Sequence, residues 1–251
     1  MDYQIWFVLG VFIGNGVGCV LAVFCLVRMT DQERTMRNRL LLMLVGSWAL
    51  VETARDDMLF VAATAIHIND YQVHFFLAPS MLLTVFAVAL MTAVFWLAAT
   101  RSRPVWTVGG GTAAGLILGA MSLQAALAGR TESAMSIDIV NSLVITAGLA
   151  AATGIAVWLG AGATRRSAMV TAIMLLAICL TAAQYRIAAV AAIDPSILVN
   201  SDAGIDPNQL NVFTAVAFGI RTIALTIMSM IDESRPEPLL QQEQFGTHDS
   251  R

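Results

Sequence analysis

Seven stretches of largely apolar residues, each 22 to 27 long, run through the chain at 5–28, 39–62, 75–99, 104–128, 138–161, 167–193 and 210–231. A helix needs about 20 such residues to cross the ~30 Å hydrocarbon layer of a bilayer. Inside lipid every backbone amide must also find its partner within the protein, which a helix achieves by itself. The sequence therefore predicts an all-α integral membrane protein with seven transmembrane helices. Composition points the same way: 58% of residues are hydrophobic and 12% charged, with a mean hydropathy of +0.75, against about 25% charged in soluble domains. Residues 1–231 read as one transmembrane domain. Residues 232–251, with Pro236, Pro238 and three glutamines, read as a disordered cytoplasmic tail. The first stretch has no basic start and no small-residue cleavage site, so it is expected to be a retained helix.

Arginine placement orients the bundle, because positively charged loops stay on the cytoplasmic side. The connections after stretches 1, 3 and 5 and the tail hold ten arginines, whereas the N-terminus and the connections after stretches 2, 4 and 6 hold Arg130 alone. This predicts an outside N-terminus, a cytoplasmic C-terminus and residence in a bacterial inner membrane. All 14 basic residues are arginine. Without lysine there is no Schiff-base chemistry, which excludes covalently bound retinal despite the seven helices. The net charge of -3 and the absence of a basic aromatic stretch argue against nucleic acid as a partner. Cys19, Cys25 and Cys179 all fall in apolar segments and read as packing residues.

Asp2, Asp70, Asp138 and Asp206 recur at intervals of 68 residues, each at the outer start of an odd-numbered helix. The flanking letters agree in part, as in Asp2-Tyr3-Gln4-Ile5 against Asp70-Tyr71-Gln72-Val73. Three repeated helix pairs plus one last helix is the simplest description. Aspartate is also favoured at helix N-termini as a cap, and the two explanations are compatible.

The remaining arginines, Arg55, Arg186 and Arg221, lie within or at the edge of spans. Ionisable groups there are costly and mark functional sites by default. The second stretch carries Glu52, Arg55, Asp56 and Asp57. At 100° per residue Glu52, Arg55 and Asp56 share one face while Asp57 points elsewhere. Counting ~1.5 Å per residue, Arg221 lies about 15 Å above the end of the last helix, near the midplane, with Glu52 as the acid nearest in depth and its expected partner. Three acids and three arginines sum to zero, as a closed ion-pair network requires. Gln124, Gln184 and Tyr185 add polar groups toward the outer ends of the other even-numbered helices. Three readings stay open: a network that fixes how helices 2, 6 and 7 dock, the lining of an outward-opening polar cavity, or span ends that place Asp57 and Arg186 at the outer interface. Asn15, between Gly14 and Gly16, reads as a site of close helix packing.

Metal and catalytic constellations are sparse. His67 and His74 are seven residues apart, matching neither a helical i, i+4 zinc pair nor a finger. Met58 with these two histidines is a conceivable outer copper site. No nucleophile elbow or phosphate loop is present, so nothing in the sequence points to an enzyme.

The outside N-terminus, the helix pairs repeating three times, the aspartates opening odd helices and the seventh span together resemble the MHYT family of bacterial membrane sensor domains. The resemblance covers nearly the whole hydrophobic chain. It implies a sensory role, with a Met-His-Tyr-Thr type motif at the outer ends of even helices holding a metal such as copper. Here Ala183-Gln184-Tyr185-Arg186, Leu123-Gln124-Ala125-Ala126 and the Glu52 to Asp57 cluster occupy those places. None contains histidine, so the metal ligands are not carried over. Family members often bear a cytoplasmic signalling domain, and the short tail implies that a signal passes to a protein partner at the membrane or cytoplasmic face. The expectation is a sensory or accessory protein that couples an outer stimulus to a partner through the charge cluster. The alternatives are an ion or small-solute transporter or channel, and a structural subunit of a larger membrane complex.

Overall fold

The computed structural model describes residues 5–29, 35–67, 73–75, 77–100, 104–131, 133–161, 166–198 and 207–233. Seven helices follow the apolar stretches: α1 (Ile5–Met29), α2 (Met36–His67), α3 (Leu77–Thr100), α4 (Pro104–Ala128), α5 (Ile139–Ala161), α6 (Arg166–Val190) and α7 (Pro207–Glu233). Five of them (α1, α3, α4, α5 and α6) are long and apolar enough to cross a membrane. The other two, α2 and α7, carry the buried charges. The protein is an all-α membrane protein in its spanning part.

Two short antiparallel ribbons, which the sequence did not announce, join the connections at one end of the bundle. β1 (Val73–Phe75) pairs with β2 (Gly129–Thr131), placing His74 opposite Arg130. β3 (Ser133–Ile137) pairs with β4 (Ala191–Leu198), with a register shift between Ser133 and Ala134. The ribbons bring together the connections after α2, α4 and α6. Arg28 near the end of α1 and Arg37 and Arg39 near the start of α2 therefore fall at the opposite end. Two expected boundaries move as a result: Phe75 belongs to β1 rather than to the third helix, and residues 191–193 belong to β4 rather than to the sixth. The last helix runs to Glu233, past the expected start of the tail; residues 234–251 lie outside the described residues.

At the start of α5, Asp138 caps the helix. Its Oδ1 accepts the Asn141 backbone N–H at 3.1 Å and its Oδ2 accepts the Asn141 side-chain amide at 2.7 Å, satisfying donors that a helix N-terminus otherwise leaves free. The other three aspartates of the 68-residue series lie outside the described residues.

Each consecutive pair, α1 with α2, α3 with α4 and α5 with α6, packs side by side, and α6 returns against α1 to close a ring. α7 stands outside this ring in the groove between α1 and α2. The closest packing is between α4 and α5, where small residues let the backbones approach. A Cβ on Gly115 would stand 2.5 Å from the Ala150 Cα, and one on Gly111 would stand 2.8 Å from the Gly154 Cα. Between transmembrane helices such contacts supply attraction that lipid, as apolar as the side chains themselves, does not. The main apolar core includes Cys19, Leu50, Met91, Leu118, Leu149 and Leu176. A second apolar cluster toward the ribbon end holds Val11, Met58, Leu59, Ala125, Ile187 and Leu210.

Candidate functional site

The polar residues of the bundle interior gather on α2 and its neighbours in three groups. The first centres on Arg55, which is 1% exposed. Its guanidinium is ion-paired with Glu52 and with Asp56, the latter at 2.8 Å. Its Nε donates to Asp56 Oδ1 at 2.9 Å, and its Nη1 donates to Thr84 Oγ1 on α3 at 2.9 Å. The Met81 sulfur lies 3.7 Å from Nη1, and the Phe213 ring of α7 lies 5.7 Å from the guanidinium carbon. The Thr84 hydroxyl donates to the Ser80 carbonyl at 2.8 Å, and the Ser80 hydroxyl donates to Gln124 Oε1 on α4 at 3.1 Å. Gln124 thus joins the group through α3.

The second group centres on Arg221, at the middle of α7 and fully buried. Its Nη1 donates to Thr53 Oγ1 at 2.6 Å, and Nη2 is 3.5 Å from Asp57 Oδ1. Neither Nε nor Nη2 finds a hydrogen-bond acceptor. Asp57, not Glu52, is therefore the partner of Arg221. Depth alone favours Glu52, but Glu52 shares the Arg55 face, whereas Asp57 is turned toward α1 and α7. α1 makes room for this arrangement with two glycines. A Cβ on Gly18 would stand 1.9 Å from Thr53 Oγ1, and one on Gly14 would stand 2.8 Å from Asp57 Oδ2.

The third group is neutral. Asn15 donates through Nδ2 to Thr181 Oγ1 and to Gln184 Oε1, both at 2.8 Å. Gln184 Nε2 in turn reaches the Thr53 and Ala54 carbonyls at 3.4 and 3.5 Å. Asn15 thus has a hydrogen-bonding role in addition to the close helix packing its glycine neighbours suggested, which Gly14 provides. Gly16 faces open space while Gly14 and Gly18 are the close contacts.

Two expected members stand apart. Arg186 is exposed on α6, and among the described residues it makes no ion pair; it lies one turn from the end of its helix, where a long side chain reaches out of the bundle. The expected charge balance of three against three is thereby lost: Glu52, Asp56 and Asp57 share two arginines. Tyr185 packs at the margin of the apolar cluster around Met58 and Ile187. Met58 is fully buried in that cluster; the side chains of His67 and His74 lie outside the described residues. Thr53, Ser80, Thr84 and Thr181 were not singled out in the sequence.

The cavity beside the charges is a cleft of about 230 Å³ between α1, α2 and α7. Gly10, Gly14, Asp57, Phe60, Thr214 and Phe218 line it. Asp57 Oδ2 and Thr214 Oγ1 are both buried there without a hydrogen-bond partner. Val11, a member of the apolar cluster around Met58, and Phe60, packed against it, also line the cleft.

No family model matches the chain, and neither the curated proteins nor the solved structures contain a match to it.

Proposed function

We propose that this chain is a sensory or accessory protein of a bacterial inner membrane, passing an outer stimulus to a protein partner through the charges on α2 and α7. The observation that carries this reading is the incomplete hold on Arg221. A charge buried at mid-helix is expensive, and here it is fixed by one hydrogen bond and a 3.5 Å ion pair while two of its nitrogens lack acceptors. A helix outside the ring, gripped by one hydrogen bond and one long ion pair, is suited to occupy two positions. Switching needs such a bistable element, biased by what binds to it. The likeness to the MHYT sensor domains enters as shared layout: Glu52 to Asp57, Gln124 and Gln184 sit on even-numbered helices, where that family has its metal motif.

The test is a distance measurement between spin labels at exposed Met36 on α2 and exposed Ile227 on α7, in a background with the three cysteines replaced. Wild type is expected to give two populations, and Arg221→Met a single one. Identical distributions for both chains, with unchanged melting, would overturn the reading.

An ion- or solute-transport reading is favoured by one observation, the unpartnered Asp57 oxygen beside an accessible cleft. Under it, proton or ion flux into liposomes is lost on Glu52→Gln. Flux indifferent to that substitution removes this alternative.

A further inference from the structure

The cleft between α1, α2 and α7 has a chemistry of its own. Its polar atoms are a carboxylate oxygen that can only accept and a hydroxyl that accepts as readily as it donates. Asp57 and Thr214 both line the cleft; Asp57 is 5% exposed, and its Oδ2, like Thr214 Oγ1, has no hydrogen-bond partner. An unpaired buried acceptor is costly, and the cost falls when a ligand supplies the donor. Phe60 and Phe218 give the cleft aromatic walls, and an aromatic face attracts a cation within about 6 Å. Gly14 leaves the α1 side of this oxygen without a side chain: any Cβ there would stand 2.8 Å from Asp57 Oδ2.

Charge counting adds a second, independent argument. With Arg186 exposed on α6, the buried cluster has three carboxylates, Glu52, Asp56 and Asp57, against the two guanidiniums of Arg55 and Arg221. With all three carboxylates ionised, this cluster is one positive charge short among the described residues, and Asp57 is the acid that lines the cleft. A bare metal ion of the calcium type takes six to eight oxygen ligands, which two oxygens and two phenyl rings do not offer. An amine suits them: its N–H groups meet the acceptors and its hydrocarbon part meets the rings. The volume, about 230 Å³, is below the ~300–1,000 Å³ of drug-sized sites, so the occupant is small.

We infer that this cleft is a binding site for a small primary ammonium group with an apolar stem, held by Asp57 Oδ2 and Thr214 Oγ1. The ammonium belongs either to a free alkylamine or to the ethanolamine headgroup of a lipid, since helices that face the bilayer bound the cleft. That its occupancy moves α7 rests on the coupling reading above; the binding itself does not.

The experiment uses the full chain in nanodiscs of phosphatidylglycerol, titrated calorimetrically with n-butylammonium and, as the uncharged control, n-butanol. Saturable binding of the amine and none of the alcohol is expected. Gly14→Ala, which leaves both charges in place and sets a methyl against Oδ2, should weaken the amine at least tenfold, as should Asp57→Asn. Gly14→Ala carries the test if Asp57→Asn does not fold. In discs containing phosphatidylethanolamine, a lipid occupant would lower the apparent amine affinity, and native mass spectrometry would find one such lipid retained by wild type and lost in Gly14→Ala. Absence of saturable amine binding together with absence of a retained lipid would overturn the site, and so would amine binding untouched by Gly14→Ala. Binding without any change in the α2 to α7 spin-label distance would instead leave the site standing and overturn the coupling reading.

Discussion

Arg55 and Arg221 are equally hidden, at 1% and 0% exposure, yet they are held in opposite ways. Arg55 has two carboxylates, a hydroxyl, a sulfur and a phenyl ring around its guanidinium. Arg221 has one hydroxyl and a carboxylate at 3.5 Å. The cause is positional. Two of the Arg55 partners, Glu52 and Asp56, are on its own helix, and the others come from α3 and α7 on either side. Arg221 reaches α2 from a helix outside the ring, so its partners come from one side. Burial alone does not assign a role to a membrane charge; how many directions its partners come from separates a knot from a movable contact.

The largest expected effect falls on the knot. Arg55→Ala would strand Glu52 and Asp56 together in the interior, and removing one partner of a buried ion pair costs about 3–5 kcal/mol. Unfolding in nanodiscs followed by tryptophan fluorescence measures it; a loss below ~1 kcal/mol, the value expected of exposed pairs, would break the comparison. Next comes Gly18→Val, which forces its Cβ to within 1.9 Å of Thr53 Oγ1 and 2.9 Å of Thr53 Cβ. Overpacking of this kind costs about 1–3 kcal/mol. Because it displaces the anchor of Arg221, its cost should fall when Arg221→Met is already present, the non-additivity expected of neighbours. Gly16→Val, with nothing within 4 Å of its Cβ, is the control and should leave stability unchanged. Third, Arg221→Met with Asp57→Asn should come within about 1 kcal/mol of wild type, since exchanging a whole buried pair for neutral groups is often neutral or better. A loss matching that of Arg55→Ala would erase the difference between the two arginines.

Much of the fold was legible because lipid imposes simple rules: long apolar stretches become helices and arginine counts separate the two ends. The ribbons were not legible. Each strand has between three and eight residues and pairs with a connection that is distant in sequence, so no local period announces it. In the candidate site, the charges on α2 stood out because any charge in a span does, and the 100° rule placed Glu52, Arg55 and Asp56 together with Asp57 apart. The partner of Arg221 was missed because rise along a helix gives depth but not which neighbour a face meets. Arg186 was counted into the network by sequence position, five residues short of Ala191 where the chain leaves α6, and a side chain there can turn outward. The hydroxyl partners were hidden for another reason. Thr53, Thr84 and Thr181 each donate to a carbonyl four residues back, which any threonine in a helix does, so their second role as acceptors from Arg221, Arg55 and Asn15 leaves no mark in the sequence.

The smallest expected effect comes from the neutral group, and it sharpens the contrast between the arginines by removing charge from it. Asn15 ties α1 to α6 through two 2.8 Å hydrogen bonds, while its Oδ1 is buried without a partner. Side-chain hydrogen bonds between membrane helices average about 0.6 kcal/mol, and the orphaned oxygen carries a penalty of about 1–3 kcal/mol that offsets them. Asn15→Leu keeps the branched outline, deletes the bonds and exchanges the orphaned Asn15 oxygen for an orphaned Gln184 Oε1, so the two penalties offset and the net change should stay within about 1 kcal/mol. Gln184→Leu alone should cost more than Asn15→Leu, because it strips the Asn15 amide of an acceptor while leaving the orphaned oxygen in place. If Asn15→Leu instead costs as much as Arg55→Ala, the amide pair rather than the Arg55 knot holds α2 in the ring, and the Arg221 contact would then be movable only against that clamp.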